Sequence, residues 1–425
     1  MKENLQKVLI IGLIWPEPEA TAAGIRSIQI IHFFKEQGFN VTFSSSATKS
    51  VHSIALEEIG VNAVPVRLNH QSFDHFIKEL QPQIVVFDRF LTEEHFGWRV
   101  AEHLPDTIRI IDTQDLHSLR KSRENAFKEG IQFTPDYWRR QELTKREIAS
   151  VYRSDLSLII SFFEIDWLQK HLAIEDSLLC YFPFAMAADK ATPESTGPSF
   201  QERKDFVFIG NGKHAPNTDA ITYLKHEIWP LIKKEVPQAS LHIYGAYMPS
   251  KIKALNNAEE HFFVHGWAED VKEIMQQSRV NLAPLRYGAG LKGKLFMAAS
   301  HGTPSVTSAI GAEGTHLQNI APLVGTDTND FAQKAIAVYQ DCSLWNNCKL
   351  QGTETLHKHF NKVEHEATLL HTLQGLQANL REHREQNFTG SMLLHHNMAS
   401  SKYLSKWISL KQEKSEINAD PDPIS

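Results

Sequence analysis

Phe206-Val207-Phe208-Ile209-Gly210, midway along a chain of 425 residues, matches in kind a segment near the start, Val8-Leu9-Ile10-Ile11-Gly12. Each is a short unbroken apolar run closed by glycine, the pattern of a strand buried on both faces of a parallel sheet. The same rhythm follows each run. After the first comes a loop rich in Pro, Ala and Gly from Trp15 to Gly24, then a helical pattern over 25–37 with Gly38 past its end. Further strands are expected at 41–43, 84–87, 108–111 and 156–160, and an edge strand at 63–66, since Pro65 cannot donate to a ladder. After the second run, strands are expected at 241–244, 262–264, 280–283 and 304–307. Helical segments separate most of them, which implies parallel pairing and doubly wound α/β sheets.

From Ala185 to Lys204 the chain is small, polar and proline-bearing, a linker composition. The reading is therefore two Rossmann-like domains: residues 1–185, a linker over 186–204, and residues 205–385. A helix over 388–412 and a disordered tail over 413–425 complete it.

The bulk composition narrows the function. The net charge is −6 with 44 basic residues, so a nucleic-acid binder, which needs a clear basic excess, is disfavoured. The three cysteines (Cys180, Cys342, Cys348) are not spaced as a zinc site and fit a reducing compartment. The 22 histidines are scattered without ligand spacing. No metal and no cofactor is expected. The first apolar run is too short for a signal segment, and no run is long enough to span a bilayer. A cytoplasmic location follows, with at most peripheral membrane contact.

Five segments can carry chemistry. Trp15–Gly24 opens a helix, and small residues there let a ligand approach the backbone. Asp112-Thr113-Gln114-Asp115-Leu116-His117 ends the strand at 108–111, and strand C-termini are where open α/β sheets place ligands. Asp115 and His117 are the candidates there for orienting an acceptor or a proton; the alternative is a helix cap by Asp115 and an exposed histidine. The third segment, Pro284-Leu285-Arg286-Tyr287-Gly288-Ala289-Gly290-Leu291-Lys292-Gly293-Lys294, is the most informative. Glycine amides at a strand-to-helix turn can wrap a phosphate, and Arg286, Lys292 and Lys294 add charge. The fourth, Gly210-Asn211-Gly212-Lys213-His214, precedes a helix that Asn217 would cap. The fifth places Glu313 between Gly311 and Gly314, as a cleft residue or a solvated loop acid.

Together these blocks resemble the retaining GT-B glycosyltransferases with a group-1 glycosyltransferase domain (family 4-like) over roughly residues 7 to 380. The most specific part is the glycine–lysine loop with Gly302-Thr303-Pro304 and Ile310-Gly311-Ala312-Glu313-Gly314. Phe208-Ile209-Gly210-Asn211, the Asp112–His117 segment, and Ser161 with Glu164 also fit. The resemblance implies two Rossmann-like lobes facing across a cleft, with the last helix returning to the N-terminal lobe. It implies transfer of a sugar from a nucleotide-diphosphate sugar to a hydroxyl of a glycan, lipid or other acceptor, with retention and without a metal.

By that analogy the donor is held by Gly24, Gly210, Asn211, Lys213, His214, Arg286, Gly288, Gly290, Leu291, Lys292, Lys294 and Glu313. Asp115 and His117 face the sugar or acceptor. Two departures stand out. Many members carry glutamates where this chain has Ala289 and Met297, and the second holds the ribose; Glu313 is the expected replacement. The Arg and Lys after the first C-lobe strand give way to Asn211 and Pro216. The alternatives are a non-catalytic homologue that binds nucleotide or glycan, and a sugar-nucleotide epimerase of the same fold.

Overall fold

The structure, a computed structural model, describes residues 6–185, 197–317 and 323–419. Two parallel sheets organise it. The first has seven strands: β1 (Lys7–Gly12), β2 (Asn40–Ser45), β3 (Asn62–Pro65), β4 (Ile84–Asp88), β5 (Ile108–Asp112), β6 (Leu156–Ile159) and β7 (Leu179–Tyr181). The second has six: β8 (Lys204–Ile209), β9 (Leu241–Tyr244), β10 (Phe262–Gly266), β11 (Ser278–Ala283), β12 (Ser305–Ser308) and β13 (Val324–Gly325).

Their orders, β3-β2-β1-β4-β5-β6-β7 and β10-β9-β8-β11-β12-β13, are doubly wound. In each, strand order reverses beside the first strand, and ligands of open α/β sheets bind at that switch point beyond the strand carboxyl ends. The α/β two-lobe expectation holds, and β3 with its proline is indeed an edge strand.

The apolar runs are explained by two-sided burial. Along β1, Val8 and Ile10 pack with Phe33, Phe34 and Phe43 on one face. Leu9 and Ile11 pack with Phe73, Ile77 and Phe87 on the other. In β8, Phe206 and Phe208 join the main C-lobe core, while Val207 meets Met275 and Ala298 behind it.

The helices include α1 (Ala22–Glu36), α2 (Trp98–His103), α3 (His117–Glu129), α4 (Glu142–Arg153), α5 (Phe162–Leu172), α6 (Ala215–Tyr223), α7 (Gly293–Ser300), α8 (Lys362–Gln386) and α9 (Phe388–Ala419). Helix α1 starts before the expected residue 25 because the Thr21 hydroxyl caps it, accepting from the Gly24 amide at 2.9 Å.

The return to the N-terminal lobe also starts earlier than expected. Leu369, Leu373 and Leu376, at helical spacing on α8, are buried in the N-lobe core, so that core takes in a helix that composition assigned to residues 205–385. Helix α9 packs on α2 and α4 and extends to Ala419, past residue 412 where the helix was expected to end. The expected linker over 186–204 falls mostly, at 186–196, outside the described residues, as does the end of the tail, 420–425. Among the described residues no helix is long and apolar enough to cross a membrane.

Candidate active site between the lobes

The loop leaving β11 turns into α7 through Gly290, whose φ of +67° lies in the left-handed region that glycine tolerates. A Cβ there would stand 2.7 Å from the Cβ of Asp115, so the glycine–lysine loop of one lobe lies directly against the Asp115 segment of the other. Lys292 is the N-cap residue of α7 and no side chain caps that helix end.

Both lysine ammoniums turn inward. Lys292 Nζ donates to the Gly290 carbonyl at 2.7 Å. Lys294 Nζ donates to Asn217 Oδ1 at 2.6 Å and sits 4.1 Å over the Phe208 ring. Burial pushes the Lys292 pKa down, partly opposed by Glu313. Burial and the neighbouring Lys292 push Lys294 down to about 7. Two desolvated cations beside uncapped helix amides form an electrostatic deficit that an anion fills.

Across the cleft, Asp115 receives Arg120 Nε at 2.6 Å and lies 3.4 Å from His117 Nε2. Burial alone would raise the Asp115 pKa, but Arg120 and His117 outweigh it and hold the carboxylate below its usual range. Burial pushes His117 down to about 3 in spite of Asp115, so the imidazole is neutral at pH 7. Asp115 does not cap α3. Glu147 of α4 does, accepting from the amides of His117 and Ser118 at 2.8 Å each, and burial lifts its pKa to about 7.

His214 is exposed by accessible area, yet the protein around it and Arg120 lower its pKa to about 4. The field of Asp115 and Arg120 reaches the ring from one lobe and that of both lysines from the other.

Other expected donor residues have different tasks. Arg286 does not join the lysines: its Nε and Nη2 donate to Asp219 at 2.9 and 2.6 Å, and its guanidinium lies 4.6 Å from the Phe127 and Tyr223 rings. Glu313 is not free for a ribose, because Arg123 grips it bidentately at 2.7 and 2.8 Å. The Gly24 amide is taken by Thr21, and the missing Cβ admits the backbone of Glu17. Gly210 likewise leaves room for Asn217, which does not cap α6 and instead bridges Asn211 and Lys294. His214 is the N-cap residue of that helix. Asn211 reaches the Ala20 carbonyl of the N-lobe, and Lys213 lies 3.6 Å over the Tyr247 ring. The Leu291 side chain packs with Ile160, Phe184 and Phe360. The Gly288 carbonyl accepts from Arg123.

The lobes are latched by contacts that residue type and spacing did not foretell. Glu164 Oε1 accepts from the amides of Leu116 and Gly290, both at 2.8 Å, joining one residue from each lobe. The Gly290 amide, expected to be open to phosphate, is thereby occupied. Tyr247 Oη donates to Glu17, and Arg123 crosses to Glu313. In a double-mutant cycle, Arg123→Ala and Glu313→Ala should be non-additive by about 1–3 kcal/mol in unfolding free energy. Strictly additive costs would mean that the pair is not formed in solution. Among the described residues no group of three or more His, Cys, Asp or Glu is gathered to hold a metal ion.

Comparison with known proteins agrees with this geometry. Residues 203–341 match the family model described as glycosyl transferases group 1. No curated protein matches the chain. Among solved structures, sucrose-phosphate synthase from Thermosynechococcus elongatus is similar with a TM-score of 0.64 at 15% identity, covering 88% of this chain and 99% of that one. Anabaena HepE, in complex with UDP and glucose, is similar at 0.63 and 10%, covering 87% and 100%. WaaG, a glycosyltransferase involved in lipopolysaccharide biosynthesis, is similar at 0.59 and 13%, covering 84% and 98%. Residues 203–341 thus match the group 1 glycosyl transferases, and the chain as a whole shares the two-lobed GT-B fold of these structures.

Proposed function

We propose that the chain moves a sugar from a nucleoside-diphosphate sugar to an acceptor hydroxyl, with retention of configuration and without a metal ion. One observation carries this reading: Lys292, buried, and Lys294, half-buried, stand together at the start of α7, without an ion-pair partner among the described residues, opposite Asp115. The diphosphate gathers negative charge as its bond to the sugar breaks, and two fixed ammoniums with a helix N-terminus stabilise that charge where it develops.

Asp115, held by Arg120, is a poor base. Its oxygens accept a hydrogen bond from a sugar or acceptor hydroxyl and so orient it. The sugar–phosphate bond breaks, the acceptor oxygen bonds to the same face of the anomeric carbon, and its proton passes to the departing phosphate oxygen. Neutral His117 and His214 serve as hydrogen-bonding walls of the cleft. The acceptor is a glycan or lipid-linked hydroxyl, and three free cysteines fit a cytoplasmic setting.

The test is a panel of nucleoside diphosphates and their sugars read by thermal shift, followed by transfer assays with the best donor. Stabilisation by at least one diphosphate is expected. No shift with any of them would overturn the reading.

Met297, half-buried on α7, favours a second reading of binding without efficient turnover, because a thioether is a weak acceptor for a ribose hydroxyl. Met297→Glu is expected to tighten diphosphate binding about tenfold or more, the worth of a charge-assisted hydrogen bond. Unchanged affinity in calorimetry would place the ribose elsewhere.

A further inference from the structure

Helix α9 has one side seated on the N-terminal lobe, against α2 and α4, and another side open. The side turned to the N-terminal lobe is pinned by a polar contact: Ser405, 4% exposed, accepts from Arg99 Nη2 at 2.8 Å. The outward side carries large apolar groups. Phe388 is 74% exposed, Tyr403 70%, Trp407 54% and Leu410 57%, with Met392 also open. Tyr403, Trp407 and Leu410 follow one another at i, i+4 and i+7, so they form one stripe. A stripe of this size on a helix that already has its tertiary seat calls for a partner.

Charge says which partner. From Phe388 to Gln412 there is no acidic residue, in a chain that has 50, while Lys402, Lys406 and Lys411 fall within the segment. Lys406 is exposed beside the stripe, and Lys411 Nζ lies 3.8 Å over the Trp407 ring, at the stripe's edge. A second copy packed stripe to stripe would bring Lys406 and Lys411 against their like, because the helix's two carboxylates, Glu413 and Glu416, both follow the stripe. A bilayer bearing anionic headgroups answers both features: tyrosine and tryptophan settle at the headgroup level, and lysines extend to the phosphates.

We propose that the outward face of α9 docks on an anionic phospholipid surface, a contact separate from the inter-lobe cleft. The contact is peripheral, through Tyr403, Trp407 and Leu410 flanked by Lys406 and Lys411. It would hold the N-terminal lobe, on which α9 rests, beside the bilayer.

The experiment is co-sedimentation of the full chain with vesicles of phosphatidylcholine alone or mixed with phosphatidylglycerol. Binding to the mixed vesicles should exceed binding to the neutral ones by about tenfold and fall as salt is added. The variant Trp407→Glu with Leu410→Glu should lose the binding while keeping its melting temperature, because both side chains are exposed. Three results overturn the proposal: no binding by the unaltered chain, equal binding by the variant, or a dimer in light scattering that the variant splits without any effect on vesicles.

Discussion

Replacing Lys294 by alanine should weaken nucleoside diphosphate binding by roughly ten- to a hundredfold, with the melting temperature of the free protein holding or rising. The first half follows from the geometry. The ammonium is desolvated, faces the cleft and, among the described residues, has only the neutral Asn217 side chain and the Phe208 ring as partners. A charge-assisted contact to a phosphate oxygen there is worth about 1.5–3 kcal/mol. The second half follows from the sign of the pKa shift. Lys294 is lowered to about 7, below its value in an unfolded chain, so below pH 7 the fold carries a buried charge at a cost. That cost fades as pH rises from about 7 towards 10, where the unfolded chain still binds the proton and the folded one does not. Removing the lysine removes the cost.

The same shift sets a pH dependence for binding. An anion selects the protonated amine, so diphosphate affinity should fall about tenfold per unit above pH 7, with a proton taken up on binding. Calorimetry in buffers of different ionisation enthalpy reads that uptake. Lys292→Ala should act in the same direction but less strongly, because that ammonium is already bonded to the Gly290 carbonyl. Equal dissociation constants for the unaltered protein and the Lys294 variant would remove the donor site.

How far the sequence foretold this site depends on the range of the interaction involved. Two-sided burial leaves a continuous apolar run, so Val8–Ile11 and Phe206–Ile209 announced both sheets, and Pro65 announced an edge. Strands β7 and β13 escaped notice because three and two residues are too few to show a period. The glycine–lysine loop was legible because its chemistry is local: Gly290 takes a positive φ, and the lysines follow within four residues. Partner choice was not legible. Arg286 looked like a phosphate ligand until Asp219, 67 positions away, was seen to hold it. Glu313 looked free until Arg123, 190 positions away, was found on it. Asp115 looked like a cap for α3 until Glu147 was seen to fill that post. Residue type and spacing show which groups carry charge. Only the fold shows which charges are already answered, and the unanswered ones, Lys292 and Lys294, mark the site.

Arg26→Met is expected to be the most damaging single change for stability, at about 3–5 kcal/mol. Arg26 has no accessible surface. Its Nε and Nη2 donate to Asp112 Oδ1 at 3.2 and 3.0 Å, its Nη1 to the carbonyls of Phe182 and Pro183, and its guanidinium lies 4.9 Å from the Phe182 ring. It thus ties α1 to the end of β5 and to the segment that leaves the N-terminal lobe. Without it Asp112 would be a buried carboxyl with no cation bonded to it among the described residues and with Oδ2 already lacking a partner. Burial raises the Asp112 pKa even with Arg26 opposing it, and the variant should raise it further.

A carboxyl whose folded pKa lies above its unfolded value favours the fold at low pH and ceases to do so as pH rises through the folded pKa. The deficit of Arg26→Met should therefore be small near pH 4 and should grow towards pH 8. Asp112→Asn in the same chain should recover part of the loss, since the uncompensated charge is then gone. Denaturant melts of the single and double variants across that pH range test the claim. A deficit that stays flat with pH would show that Arg26 contributes packing alone, and that the join of α1 to the end of β5 is not electrostatic.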